Sequence, residues 1–398
     1  MIDFTTLQGL TIPEGVVTQI ADASGRVLWM LNTGGGPVIL EVEKITSDTY
    51  AAETTYTGEQ FILLDIYPKT NGTVNVTYGG LTKTITDTSG AEEPNAQQVF
   101  FGTFNGVADS VTTPASGELV IEGDCYAFGC GAAQTTSKAT DLVCGCSILS
   151  VESFGAVNQI PMYAFGQTIS DGCTKLQTIT IPSNVRSIGD FAFIGCTGLL
   201  DVTIQSGVQS INFGAFSKCT SLTTIIIPKT VASIASCFSG CNALTNIMVD
   251  SDSEYFLSEG GALFDKPKKT IYAYPSASGH YTIPDSVTSI GVQAFQDSAL
   301  ISVTIPESVT SVSEIAFGGC TGLTSITIPA SVTTIGGNAF SNCANLTSII
   351  VLPTTPPTGG MSMFYGSTCP ITVPKGCGEA YKTAEYWSDY AGRIVEAS

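Results

Sequence analysis

Cysteine is the residue type best placed for chemistry in this chain of 398 residues, which holds thirteen of them. Five stand in one recurring slot, each three residues before a Leu: Cys196, Cys219, Cys241, Cys320 and Cys343 precede Leu199, Leu222, Leu244, Leu323 and Leu346. A column of thiols suggests a disulfide or metal ladder. Successive copies of one slot lie in parallel rather than facing each other across a site, so the expectation is a small buried residue filling a repeat position. Cys173 is expected to join them. Cys125, Cys130, Cys144 and Cys146 form a second cluster. Four thiolates can hold a structural zinc, but these spacings match the usual pairs poorly. A disulfide is open if the protein matures outside the cytoplasm. A degenerate first repeat is the preferred reading, because Tyr126-Ala127-Phe128-Gly129-Cys130 echoes the element described below. The alternating acids of Asp250-Ser251-Asp252-Ser253-Glu254 suit calcium. They lack the central Gly and the downstream Glu of a calcium loop, so a solvated turn is expected. No metal, cofactor or catalytic residue is assigned, and no enzyme activity is expected.

The charge balance narrows the function classes further. There are 34 acids against 15 bases, a formal charge of −19, and a single His. Such a chain does not coat nucleic acid or anionic lipid, both of which need basic surfaces. One His excludes paired-His acid/base chemistry. No apolar run is long enough to span a bilayer, so no membrane insertion is expected. Met1-Ile2-Asp3-Phe4 has no basic, apolar leader, so synthesis in a host cytoplasm without a signal peptide is expected. Charged residues make up only 12% of the chain against roughly 25% in ordinary globular proteins.

Repetition explains that composition. Ala192-Phe193-Ile194-Gly195-Cys196 recurs as Ala215-Phe216-Ser217-Lys218-Cys219, Cys237-Phe238-Ser239-Gly240-Cys241, Ala316-Phe317-Gly318-Gly319-Cys320 and Ala339-Phe340-Ser341-Asn342-Cys343. Steps between these Phe residues are 22 or 23, apart from a step of 57 between Phe238 and Phe295 that holds an insertion at about 250–283. After each Leu comes an alternating run such as Ile179-Thr180-Ile181-Pro182, then a Val and an Ile or Val three residues on. The alternation predicts a short strand that buries Ile179 and Ile181, and Pro182 ends it for lack of an N–H. The Ala-Phe pair is expected on a short turn of helix or 3₁₀ on the opposite wall. One such unit cannot bury its apolar face, whereas stacked units share a continuous core. Seven or eight coils at strand spacing would make a rod about 35–40 Å long.

These residues resemble the BspA-like leucine-rich repeats of bacterial surface proteins, whose pattern is x-Leu-x-x-Ile-x-Ile-Pro-x-x-Val-x-x-Ile-x-x-x-Ala-Phe-x-x-Cys. The resemblance implies a solenoid over 151–370 and a closing helical cap over 371–398, with Tyr381, Trp387 and Tyr390 covering the last coil. It also implies a binding scaffold, often adhesive, without catalytic residues. The expected fold is therefore mainly β, with four parts ahead of the cap. Residues 1–36 form an attachment hairpin and a Gly-rich linker, with Val16–Ile20 and Arg26–Leu31 as strands. Residues 37–90 form a small immunoglobulin-like sandwich, and 91–150 a linker and front cap for the solenoid. The opening segment, with Phe4, Leu7, Leu10, Ile12 and Trp29, is similar to N-termini of virion-associated proteins of phages and prophages of gut bacteria. That similarity implies docking to other virion proteins. Since hairpins that must dock often trimerise in fibres, a homotrimer is one expected assembly.

Two surfaces are candidates for recognition. The outward strand positions make a row of Thr178, Thr180, Asp201, Thr203, Thr224, Asn246, Ser302, Thr304, Ser325 and Thr327, which either meets a glycan or protein or is a solvated Thr ladder. The insertion carries Tyr255, Tyr272, Tyr274, His280 and Tyr281, which either form a contact patch or fill an irregular coil. The expected function is a phage or prophage structural protein at the virion surface, a tail fibre or receptor-binding protein that displays the solenoid to host-surface glycan or protein. A capsid-decorating head fibre and a bacterial cell-surface adhesin are the alternatives.

Overall fold

The computed structural model describes residues 157–166, 172–275 and 279–398 throughout, and before them the segments 19–21, 27–30, 38–43, 45–46, 60–68, 73–86, 97–104, 107–109, 116–123, 125–130 and 148–155. Its repeating region is a β-solenoid. Each coil carries a four-residue strand on one wall, such as Thr178–Ile181 or Asp201–Ile204, and a two-residue strand on the next, such as Ser187–Ile188 or Ser210–Ile211. Successive coils pair in parallel and in register: Thr178 lies opposite Asp201, Ile179 opposite Val202, and Ser187 opposite Ser210. Nine two-residue or continuing short-wall strands among the described residues place about nine turns in the rod, more than the seven or eight expected.

The third wall departs from the helical expectation. It is a chain of tight turns, with bonds such as Ile194 N–H to Phe191 O (3.1 Å) and Cys196 N–H to Phe193 O (3.1 Å). Left-handed residues interrupt any helix there. Phe191 (φ 55°) and Gly195 (φ 71°) are matched by Gln293 and Asp297, Ile315 and Gly319, and Asn338 and Asn342 in later coils. The turns also bond between coils, as in Phe193 N–H to Ala215 O (2.7 Å) and Phe317 N–H to Ala339 O (2.7 Å). This wall therefore adds its own hydrogen-bond ladder to the two sheets.

Aromatic rings stack up the rod axis. Phe165, Phe193, Phe216 and Phe238 follow one another at 4.8, 5.2 and 6.0 Å, and Phe295, Phe317, Phe340 and Phe364 at 4.7, 5.1 and 5.6 Å. The insertion separates the two runs, and the buried apolar residues divide there into two clusters. The first cluster also takes in Val74, Val76, Tyr78 and Leu119 from the N-terminal strands.

Those strands form two sheets. One has five strands, Ile148–Phe154, Val38–Glu43, Ser116–Gly123, Thr73–Tyr78 and Leu81–Thr86; the other joins Cys125–Cys130, Gln60–Pro68, Gln97–Phe104 and Val107–Ala108. Strands from both sides of residue 90 share these sheets, so a sandwich of 37–90 by itself does not describe the pairing. Gln19–Ala21 and Val27–Met30 pair as an antiparallel hairpin. At the other end, the helix Gly378–Thr383 and the 3₁₀ segment Ser388–Arg393 close the rod. Trp387 donates to Pro357 O (2.8 Å), Tyr381 to Pro353 O (2.7 Å), and Tyr390 accepts from Phe364 N–H (3.1 Å), so each buried aromatic has its polar end satisfied.

Candidate binding surfaces

The long-strand wall holds the outward row. Thr178, Thr180, Asp201, Thr203, Thr304, Ser325 and Thr327 are exposed, and Thr224, Asn246 and Ser302 are half-buried. Register aligns them: Thr180 faces Thr203, Thr224 faces Asn246, and Ser325 faces Ser348. Ile226 and Ile350 add apolar area, 53% and 37% exposed.

Hydroxyls on this rod fall into two classes. One class is spent on the fold. Thr245 donates to Thr223 O (3.2 Å), Thr347 to Thr324 O (3.1 Å), Thr333 to Thr310 O (3.1 Å) and Ser331 to Val309 O (2.7 Å), each reaching back one coil. The other class is the outward row. Among the described residues, the side chains of Thr178, Thr180, Thr203, Thr304 and Thr327 make no intramolecular hydrogen bond. Sequence alternation alone does not separate the classes, because both are Thr-rich.

The insertion is divided in its roles. Tyr274 and Tyr281 pack together (4.2 Å) and both reach Phe295 (5.2 and 5.8 Å), so they continue the aromatic stack where no Phe is available. Burial raises the Tyr281 phenol above its ordinary range. Tyr272 packs edge-on to buried Phe256 (5.5 Å). Tyr255 is 46% exposed. His280 lies on Gly279–Thr282, which pairs with Leu300–Thr304 and so belongs to the outward wall; its Nδ1 and Ser302 Oγ are 2.5 Å apart. The row as read from sequence omits His280 and Thr282, although they stand 22 residues before Ser302 and Thr304, because they are grouped there with the insertion. Phe4, Leu7, Leu10 and Ile12 lie outside the described residues, and Trp29 stands on the strand Val27–Met30.

The cysteine column is buried and does more than fill space. Each thiol donates to the carbonyl of a Phe one coil back: Cys219 to Phe193 (3.2 Å), Cys241 to Phe216 (3.0 Å), Cys320 to Phe295 (3.0 Å) and Cys343 to Phe317 (3.1 Å). Where Ser367 takes the slot, its hydroxyl donates within its own coil instead, to Phe364 O (2.9 Å). Burial pushes the Cys196 and Cys241 thiols up to about 12. Cys173 breaks the expectation of a reduced column, since it is disulfide-bonded. Cys144 and Cys146 lie outside the described residues, and Cys125 and Cys130 stand on one strand. In the acidic turn, Asp252 N–H donates to the Asp250 carboxylate (3.0 Å), and Ser253 Oγ accepts from Tyr255 and Phe256 N–H. The turn is thus closed by its own hydrogen bonds.

The profile of the BspA type leucine rich repeat region matches residues 141–259 and 269–381, with six copies of the repeat. The chain belongs to this family. The unmatched stretch between the two spans, 260–268, holds the insertion's strand Ala262–Asp265 and the turns that flank it, where the repeat spacing fails. Among solved structures, the chain is similar to a leucine-rich cell-surface protein from Faecalibacterium prausnitzii A2-165, with 29% identity over 52% of this chain and 70% of that one, TM-score 0.41. It is also similar to a leucine-rich repeat protein from Eubacterium ventriosum, with 25% identity over 56% and 66%, TM-score 0.44. A third is the pneumococcal vaccine antigen PcpA, with 18% identity over 61% and 70%, TM-score 0.43. No curated protein matches the sequence. Among the described residues, no helix is long and apolar enough to cross a membrane.

Proposed function

We propose that this BspA-type solenoid is a non-catalytic recognition rod at the surface of a phage or prophage particle, and that its long-strand wall meets glycan or protein on a host cell. The observation that carries the reading is the division among hydroxyls. The columns that hold coil to coil are already bonded, whereas the outward Thr178, Thr180, Thr203, Thr304 and Thr327 keep their donors and acceptors for a ligand; Ser302 in the same row is engaged by His280. A rod with three bonded walls offers that row on a stiff support, which limits the ordering cost of binding. The hairpin at Gln19–Ala21 and Val27–Met30 supplies the attachment segment, docked on other virion proteins.

A second reading, a cell-surface adhesin of the BspA type, is favoured by the family itself and by the disulfide at Cys173, since disulfides persist in oxidising surroundings. Deleting residues 1–36 tests the carrier. Under the virion reading the deletion abolishes incorporation into particles while the purified rod still binds host cells. Incorporation of the deletion variant at the normal level would overturn the attachment role of residues 1–36, and absence of the full-length protein from particles, with its presence on the bacterial envelope, would establish the adhesin reading instead.

A further inference from the structure

A groove of about 460 Å³ opens where the chain turns from the long-strand wall into the short-strand wall, since Lys229 follows the strand Thr224–Ile227 and Arg186 and Gln209 precede Ser187–Ile188 and Ser210–Ile211. It brings together Arg186, Gln209, Lys229, Asp252, Glu254 and Tyr255. We propose that this groove binds a neutral saccharide, at a site separate from the outward row.

Its floor is built in advance. Gly207 is buried, its N–H donates to Thr230 Oγ1 (3.1 Å), and its carbonyl accepts from Arg186 Nη1 (3.2 Å). A Cβ at Gly207 would run into the Ser183 backbone, so no side chain can fill the space from below. One arm of the Arg186 guanidinium is held by this contact, and the planar group keeps further donors for a ligand. Thr230 is fixed in turn by donating to Val208 O (2.8 Å). On the far side, the hydrogen-bonded turn through Asp250 and Ser253 holds Asp252, Glu254 and Tyr255, and Lys229 Nζ lies 3.3 Å from Asp252 Oδ2.

The charges select the ligand class. The whole chain has more than twice as many acids as bases, yet this groove holds two cations and two carboxylates. A balanced lining in a strongly acidic protein gives no net attraction to an anion, and the protein's own field repels one. The lining instead alternates donors (Arg186, Lys229, Gln209) with acceptors (Asp252, Glu254, the Gln209 carbonyl), which suits hydroxyl groups that both donate and accept. Tyr255 is 46% exposed and offers an aromatic surface to the apolar side of a sugar ring. The volume lies within the usual range for small-ligand clefts.

The test uses the full chain on an array of neutral and sialylated oligosaccharides, with saturation-transfer NMR on free galactose, glucose and N-acetylglucosamine. Binding of neutral sugars is expected. Tyr255→Ala should weaken it about tenfold, and Gln209→Ala and Glu254→Gln should each weaken it at unchanged thermal stability, because these side chains are exposed and, among the described residues, make no hydrogen bond or ion pair. Thr180→Val and Thr327→Val in the outward row should leave it unchanged. No sugar binding, or binding equal in wild type and groove variants, would overturn the saccharide site. Binding confined to sialylated sugars would overturn the neutral class. Cell binding that survives either result would show that the long-wall reading stands without the groove.

Discussion

Replacing Phe317 with Ala should damage one half of the rod and spare the other. Its ring is fully buried and lies 4.7 Å from Phe295 and 5.1 Å from Phe340, nearly parallel to both. Truncating a buried Phe costs about 3–5 kcal/mol through lost burial and the cavity left behind. Two stacked pairs, each worth about 0.5–1.5 kcal/mol beyond area, place this site toward the upper end, near 4–5 kcal/mol. The backbone bonds of residue 317 to its neighbours survive the change, so the loss is one of packing. In a stacked-repeat protein such a loss acts on the coils that share the contact. The buried core divides at the insertion into a cluster running from Val74 to Ala273 and another from Ala262 to Ile394. Hydrogen exchange read by mass spectrometry, in urea just below the unfolding transition, should therefore show lost protection across 283–394 and near-normal protection across 176–247. Phe216→Ala should give the mirror pattern. Equal loss in both halves would mean that the insertion does not divide the core energetically. A cost near about 3 kcal/mol would mean that the ring stack contributes little beyond filling space, and a cost below about 1 kcal/mol would refute the burial argument itself.

Two further outcomes follow from the turns and the thiols. Gly319 has φ 71°, and a Cβ there would meet the Asp297 carboxylate, whereas Gly337 has ordinary space around it. Gly319→Val should lower stability by more than about 2 kcal/mol in urea titration, while Gly337→Ala should raise it by about 0.4–1 kcal/mol. The buried thiols make stability fall at alkaline pH. The folded pKa values of Cys196 and Cys241 are raised to about 12, above the ordinary value near 9, so their contribution is complete below pH 9 and is lost as pH rises toward 12. Each such thiol should cost roughly 1.4 kcal/mol per pH unit within that window, read from melting temperatures at pH 8 to 11. Cys241→Ser should flatten the slope, and a flat wild-type profile would contradict the burial argument.

The solenoid was legible because its physics repeats. Phe193, Leu199, Ile179 and Val185 each recur at one phase of a 22- or 23-residue period, and a position that is apolar in every copy has to face the shared core. The Cys slot was also readable as buried, but its bond to a Phe carbonyl was not. That bond joins residues 25 or 26 apart in neighbouring coils, and only the coil geometry brings them together. The left-handed column escaped for a related reason. Gly195 and Gly319 advertise it, while Lys218, Asp297 and Ile315 do not, since the turn is imposed on them by the stack. The insertion breaks the phase for Tyr274, whose place in the core emerged only from its packing on Tyr281 and Phe295, while His280, 22 residues before Ser302, was in phase and was missed because the insertion was read as one block. Arg186, Lys229 and Tyr255 occupy three different phases and share no motif, yet successive coils set them around one groove. The only signal in sequence was the scarcity of cations, which makes two in one place notable.

The central claim is that the unbonded hydroxyls of the long-strand wall recognise a host surface. Its most direct test is the binding of purified protein to intact host cells by flow cytometry, comparing wild type with a Thr180→Val, Thr203→Val, Thr327→Val variant. Valine keeps the β-branched shape and exchanges the hydroxyl for a methyl group at an exposed position, so the fold should be unaffected. The account predicts saturable binding that the triple variant weakens by at least tenfold at an unchanged melting temperature. Equal binding by both proteins would contradict it, as would the absence of saturable binding by the wild type.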